Sequence, residues 1–346
     1  MNAEMMAPIL LMASLLGSGV VRAADDVRPA EIAVRAERLN GNPIIRPEMS
    51  KELGSNINGP SLIKAPSWVG KPLGKYYLYF AHHAGKSIRL AYADRLEGPW
   101  TLHEPGVLGL DALEGKGVAL TAHDVAHIAS PDVLVDEQKK EIRMYFHGAH
   151  PGYPNYKPAP DQPTAVATSK DGLTFTPVEN TLLGPFYFRV FRHKDWYYAI
   201  AKGDTGGLLL RSKDGVSPFE QVSQILPRMR HAAVKVDGDA LYIFYSRIGD
   251  APERILMSVL SMQGDPGTWT PSPPYEVLEP KEKWEGMDLP VQKSRSGAGY
   301  QPLHELRDPA YFQEDGQDYL LYSVAGETGI AIAKMKIDLP LPADGK

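Results

Sequence analysis

One pattern recurs five times along this chain of 346 residues: an aromatic-rich run, a short polar turn, and an apolar run behind it. The aromatic-rich copies are Lys-Tyr-Tyr-Leu-Tyr-Phe at 75–80, Glu-Ile-Arg-Met-Tyr-Phe at 141–146, Asp-Trp-Tyr-Tyr-Ala-Ile at 195–200, Ala-Leu-Tyr-Ile-Phe-Tyr at 240–245 and Asp-Tyr-Leu-Leu-Tyr-Ser at 318–323. The apolar runs follow at 88–94, 165–171, 208–214, 255–260 and 330–335, the first three ending in Ala-Asp or Lys-Asp. Runs so rich in aromatic and β-branched residues read as strands. A four-stranded unit repeated at intervals of roughly 45 to 75 residues marks propeller blades. Five copies predict an all-β chain: a five-bladed β-propeller in a single domain, 25–346. In such a ring the innermost strands begin around one central funnel, so their first residues are the place to look for chemistry.

The composition agrees. Thirty-two Gly and 30 Pro suit many tight turns better than long helices. A formal net charge of -5, with no basic run, gives no electrostatic case for a nucleic-acid partner. The chain has no cysteine, which excludes disulfides and thiolate chemistry. Residues 1–24 read as an export signal: an apolar stretch at 8–21 precedes Val-Arg-Ala-Ala, a small-residue cleavage pattern. The expectation is a periplasmic or secreted protein, with no membrane association after cleavage. The lead-in at 31–37 reads as an outer strand or a short helix.

The five inner strands are expected to start at 58–63, 128–134, 186–190, 229–234 and 306–311. Val-Lys-Val-Asp-Gly-Asp-Ala-Leu-Tyr-Ile at 234–243 shows the hairpin logic, with Asp-Gly between two alternating strands. Three heads carry proline: Gly59-Pro60-Ser61, Ser130-Pro131-Asp132 and Asp308-Pro309-Ala310. Proline is tolerated at a first strand position and breaks the ladder deeper in, so its neighbour belongs at the mouth of the funnel. Connections at 105–127, 148–163 and 276–305 are too long for plain turns, and loops of that length usually cover or build a site. The 148–163 segment carries Tyr153 and Tyr156 among prolines, a stiff aromatic rim of the kind on which sugars stack.

These heads, with Asp-Gly-x-x-Tyr-Leu-x-Tyr-Ser in the last blade, resemble the five-bladed propeller glycosidases of glycoside hydrolase family 43 and its relatives, families 32, 68, 117 and 130. The resemblance covers about residues 55–337. It implies a base Asp at the head of blade one, an orienting, pKa-tuning Asp in blade two and an acid Glu in blade three. Asp132 matches the second. Asn58 stands where the base is expected, and Leu183-Gly184-Pro185 where Glu-Gly-Pro would supply the acid. Replacement candidates for chemistry are Asp308, Glu305, Glu285 and His231, a histidine acid being known in family 117. Asn58, His83, His123, Asp124, Arg189, Arg230 and Arg307 are candidates for holding substrate.

Glycoside hydrolysis needs one group to protonate the leaving oxygen and a second to activate water or attack the anomeric carbon. Separations of about 5–5.5 Å give retention and about 6.5–9.5 Å inversion. Opposed heads across a five-fold funnel suit inversion, and a pocket suits removal of one terminal sugar. The leading expectation is therefore an exported, exo-acting, inverting hydrolase of plant or algal oligosaccharides. Its rivals are a carbohydrate-binding propeller without catalysis and a phosphorolytic or lyase-like enzyme. No cofactor or metal-ligand spacing is expected, although the resemblance allows a calcium ion on the propeller axis. Three arginines at the heads of blades three to five suggest a polar pocket and an anionic sugar. The chain leaves its oligomeric state open.

Overall fold

The computed structural model describes residues 33–116, 118, 127–148 and 162–338. The segment read as an export signal, His123, Asp124, Tyr153 and Tyr156 lie outside the described residues.

Strand β1 (Ala33–Arg38) comes first. Blade one follows as β2 (Asn58–Lys64), β3 (Tyr76–Ala81), β4 (Ser87–Ala93) and β5 (Thr101–Gly109). Blade two is β6 (Ile128–Asp136), β7 (Glu141–Gly148), β8 (Thr164–Ser169) and β9 (Thr176–Pro177). Blade three is β10 (Arg189–His193), β11 (Trp196–Lys202), β12 (Gly206–Ser212) and β13 (Glu220–Pro227). Blade four is β14 (Met229–Asp237), β15 (Ala240–Arg247), β16 (Ile255–Ser261) and β17 (Tyr275–Leu278). Blade five has only β18 (Arg307–Glu314), β19 (Gln317–Val324) and β20 (Gly329–Asp338) from its own stretch of chain, and β1 supplies its fourth strand. The ring therefore closes by pairing the first described strand with the last, from Ala33 opposite Asp338 to Arg38 opposite Ala333. The lead-in is a strand, not a helix.

The aromatic repeats are the second strands, and their sequence shows why. All six positions of β3 are buried. Alternate side chains of a strand point to opposite faces of its sheet. Tyr77 and Tyr79 enter a core with Val133, Ile142 and Met144 of blade two, while Tyr76, Leu78 and Phe80 enter another with Ala310, Phe312 and Leu321 of blade five. A middle strand covered on both faces must be apolar throughout, which is why these runs do not alternate with polar residues. Each fully buried side chain of this size contributes about 1.5–3 kcal/mol.

Proline does not open the inner strands; it sits in a bulge near their heads. Asn58 pairs with Ala81 and Ser61 with Tyr79, so Gly59 and Pro60 together face one partner residue. The same slip occurs at Ser130-Pro131, at Arg230-His231 and at Asp308-Pro309. A bulge bends the strand and tolerates a proline that the ladder would reject. It also forces unusual backbone: Gly59, Ser130 and Asp308 have φ of 61°, 49° and 48°. At Gly59 a Cβ would lie 3.2 Å from the Cα of Ser130, so the first two heads approach backbone to backbone.

Neighbouring heads are stitched around the funnel. Ser61 Oγ accepts from Val133 N–H at 2.9 Å, and Asp132 Oδ2 from Val190 N–H at 2.7 Å. Arg189 Nε donates to the Ala232 carbonyl at 2.8 Å, and His231 Nδ1 touches Asp308 Oδ1. Asn58 Nδ2 donates to Glu327, at the β19–β20 turn, at 3.1 Å and so closes the circuit.

Candidate active site

Each second strand runs antiparallel to the first, so its end returns to the funnel beside the neighbouring head: Asn58 faces Ala81, Ile128 faces Gly148, Arg189 faces Ile200 and Arg307 faces Ser323. The turns that follow carry His83, Glu253 and Glu327 to the same rim, and Lys202 and His147 lie at the ends of β11 and β7.

His231 and Asp308 meet at the seam between blades four and five, both at bulges and both buried. Besides touching His231, Asp308 accepts from Ser323 Oγ at 2.9 Å. Burial opposes the charge of Asp308, but His231 and then Ser323 outweigh it and hold the carboxyl below its ordinary range. Burial pushes the imidazole the other way, below 6.5, against the pull of Asp308. The second ring nitrogen, Nε2, is buried and has no hydrogen-bond partner among the described residues. The edge of Tyr187 packs on the imidazole, with ring centroids 4.0 Å apart. Tyr187 is itself held at φ 59°, in the left-handed region that side chains usually avoid, a feature that clusters at functional sites.

Two arginines organise the acids beside this pair. Arg230 grips Glu253 with Nε and Nη2 at 2.8 and 3.0 Å, a two-pronged match of planar groups. Arg307 reaches Glu305 through Nε at 2.7 Å and Glu327 through Nη1 at 2.8 Å, so one guanidinium lies between two carboxylates. Both arginines also donate to the Gly297 carbonyl, at 3.2 and 3.3 Å. The long connection after β17 thus enters the site through its backbone. Glu327 further accepts from Asn56 at 2.9 Å and faces His83 Nδ1 at 3.2 Å. Burial works against its charge, yet His83, Arg307 and Asn56 together hold its carboxyl well below the usual value. Burial dominates at Glu305 instead and pushes its carboxyl up from 4.5. Two acids on one arginine have been driven apart.

An aromatic wall completes the rim. His147 packs 4.5 Å from Tyr187 and 5.7 Å from Phe186, and His127 lies 6.2 Å from His147. Burial keeps the His147 imidazole well below its ordinary value, so it is neutral. Lys202 Nζ sits over Phe186 and Tyr187, 5.1 and 5.4 Å from the ring centroids.

The residues singled out in the sequence are thus placed unequally. The structure brings Arg230, Arg307, Glu305, Asn58 and His83 into contact with one set of buried acids, and pairs His231 with Asp308 beside them. Asp132 has its carboxylate turned to the backbone of β10, with Arg189 Nη1 4.0 Å away. Arg189 donates through Nε and Nη1 to main-chain carbonyls. Glu285 is fully buried and bonds Arg38 at 2.7 and 2.8 Å, Tyr322 at 3.0 Å and the Lys281 N–H at 2.8 Å. Among the described residues no hydrogen bond or ion pair joins it to His231, Asp308, Arg230 or Arg307. Glu253, Glu327, Lys202, Tyr187, Asn56 and His147 enter the site without having been singled out. Their common signal is position at the end of a second strand, in the turn after it, or just before an inner strand. For a calcium ion the described residues offer little: no group of three or more His, Asp or Glu is arranged to hold a metal. The oxygens of Glu253, Glu305 and Glu327 face arginine, asparagine and histidine donors.

No established family model matches the chain. It is 36% identical over 326 residues to an uncharacterized protein of Acanthamoeba polyphaga mimivirus, covering 86% of this chain and 89% of that one. Among solved structures it resembles an α-L-arabinofuranosidase from Lactobacillus brevis, at TM-score 0.55 and 12% identity over 88% of this chain and 98% of that one. An exo-1,5-α-L-arabinanase from a bovine ruminal metagenomic library gives TM-score 0.53 at 13% identity, over 84% and 95%. An exo-β-1,3-galactanase from Phanerochaete chrysosporium gives 0.54 at 13%, over 81% of this chain and 60% of the galactanase.

Proposed function

Because the chain belongs to one family with the mimiviral protein and has the five-bladed fold of glycoside hydrolases, we propose that it is itself a glycoside hydrolase. One observation carries the reading: a buried imidazole with Nδ1 in contact with the Asp308 carboxylate and Nε2 without a hydrogen-bond partner among the described residues. A carboxylate at one ring nitrogen fixes the tautomer and leaves the other as a base. Burial keeps His231 neutral near pH 7, which suits it better to accept a proton than to donate one. Glu305, pushed up by burial, is the matching acid.

In the reaction we infer, a water oxygen attacks the anomeric carbon and its proton passes to His231 Nε2. The glycosidic C–O bond breaks, and the leaving oxygen takes the proton of Glu305. The sugar inverts. The chain would act on terminal sugars of plant or algal oligosaccharides, after export. His231 must be neutral and Glu305 protonated, so a bell-shaped pH profile is expected, rising as pH climbs through the lowered His231 value and falling as it climbs through the raised Glu305 value. The test is sugar release from a panel of oligosaccharides and aryl glycosides by wild type, His231→Asn and Glu305→Gln. Release that is lost in both variants supports the reading; release untouched by His231→Asn removes the assignment.

A second reading, a propeller that binds carbohydrate without cleaving it, is favoured by one observation. Glu253, Glu305, Asp308 and Glu327 are each already paired with an arginine or a histidine. Sugar binding with no release across the panel would decide for it.

A further inference from the structure

The arginines that could have received an anionic substrate are occupied. Arg230 spends its donors on Glu253 and two main-chain carbonyls, and Arg307 on Glu305, Glu327 and Gly297. Lys202 differs from both. It stands at the end of β11, on the rim, and forms no ion pair among the described residues. Its ammonium is only partly exposed and rests on two aromatic faces. Taking a cation out of water without a counter-charge is unfavourable, and aromatic contact offsets only part of that cost. The strain shows in its acidity: burial, followed by repulsion from Arg230, brings the ammonium down to about 8 despite the pull of Glu253 and Asp308. A cation kept in this condition lacks a counter-charge that an anion from outside the protein can supply.

We propose that Lys202 receives the carboxylate of a terminal uronic acid, placing that sugar against Phe186 and Tyr187 and beside His231. A sugar ring stacks on an aromatic face through its C–H bonds, and an ammonium gives a carboxylate a charge-assisted hydrogen bond. The position has an intrinsic selectivity. A neutral sugar would displace water from the ammonium without restoring its charge balance, whereas a uronate restores it. This names the substrate class of the glycosidase read above and rests on that reading for turnover, though not for binding.

The experiment measures calorimetric binding of glucuronate, galacturonate, galactose, arabinose and inorganic phosphate to wild type, Lys202→Met and Lys202→Arg. Cleavage of aryl uronides and of neutral aryl glycosides is followed alongside, and thermal melting confirms folding. The expected result is uronate binding near pH 7 that weakens about tenfold or more in Lys202→Met and by only a few-fold in Lys202→Arg. The affinity should fall as pH rises through about 8, where the ammonium loses its proton. With uronide substrates the Lys202→Met loss should appear in KM before kcat. Uronate binding that depends on Lys202, with no glycoside cleaved, would retain this inference and remove the glycosidase reading. Cleavage of neutral glycosides alone, indifferent to Lys202→Met, would do the reverse. Phosphate that binds through Lys202 in place of uronate, or is required for cleavage, would overturn the inference by making the anion a co-substrate.

Discussion

The heads of blades two and five are built from nearly the same words, Ser-Pro-Asp and Arg-Asp-Pro, and they do opposite things. In blade two the aspartate follows the proline, beyond the bulge. Asp132 therefore re-enters the ladder opposite Tyr145 and reaches across the seam to a backbone N–H of β10. In blade five the aspartate precedes the proline, within the bulge. Asp308 takes the left-handed backbone and reaches across its seam to a side chain, His231. Their chemistry diverges accordingly: burial wins at Asp132 and pushes its carboxyl up, while His231 and Ser323 win at Asp308 and hold it down. Two positions of displacement relative to a bulge separate a carboxylate that meets backbone from one that meets an imidazole.

The largest test of this contrast is Asp308→Asn. The amide keeps the shape but cannot hold the imidazole in the same tautomer, a change that costs about 10⁴-fold in the corresponding serine-protease dyad. A fall of roughly a thousandfold in kcat/KM is expected in steady-state assays on protein that thermal melting shows to be folded. Asp132→Ala should do the opposite. It leaves the Val190 N–H without its acceptor, so chemical denaturation should report a loss of about 1–3 kcal/mol while turnover of the folded protein stays within a few-fold. Equal loss of turnover in both variants would erase the distinction. Ser323→Ala removes one donor from Asp308 and should cost about 1 kcal/mol in stability, with a several-fold fall in rate.

The smallest effect lies in pH. Asp308, held down in the fold, contributes stability that is present above 3.8 and is lost as pH falls through its folded value. Asp132, pushed up, has the reverse sign: it weakens the fold above its folded value, and that penalty disappears as pH falls toward and below 3.8. Melting curves from about pH 7 to 3 should therefore show a shallower acid loss in Asp308→Asn than in wild type, and a steeper one in Asp132→Asn. Parallel curves would mean that neither carboxyl is perturbed as described.

The strand plan was legible because its cause is local. A middle strand covered by blades on both faces must be aromatic and apolar along its length, and Tyr76 to Phe80 declare that without reference to any partner. The heads were legible for a similar reason, since proline advertises itself, although it marked bulges instead of strand starts. Glu253 and Glu327 were not legible as site residues. Each lies in an ordinary polar turn, and its meaning comes from an antiparallel partner returning it to the funnel. Glu285 was harder still. As a sequence it is a loop acid in Trp-Glu-Gly, and what buries it is Arg38, 247 positions away on β1.

That remote strand has a consequence for when the candidate site is complete. Blade five contributes Asp308, and Glu305 and Glu327 flank its strands, yet its outer edge is among the first parts of the described chain to be synthesised and its remaining strands are the last. Blades one to four can pair internally as they emerge, whereas the blade that carries most of the acidic groups waits for both ends of the propeller. Assembly of the candidate site therefore waits for β20 to pair with β1. A ribosome-bound fragment ending before β20 would hold His231 and Asp308 in a blade that has not closed.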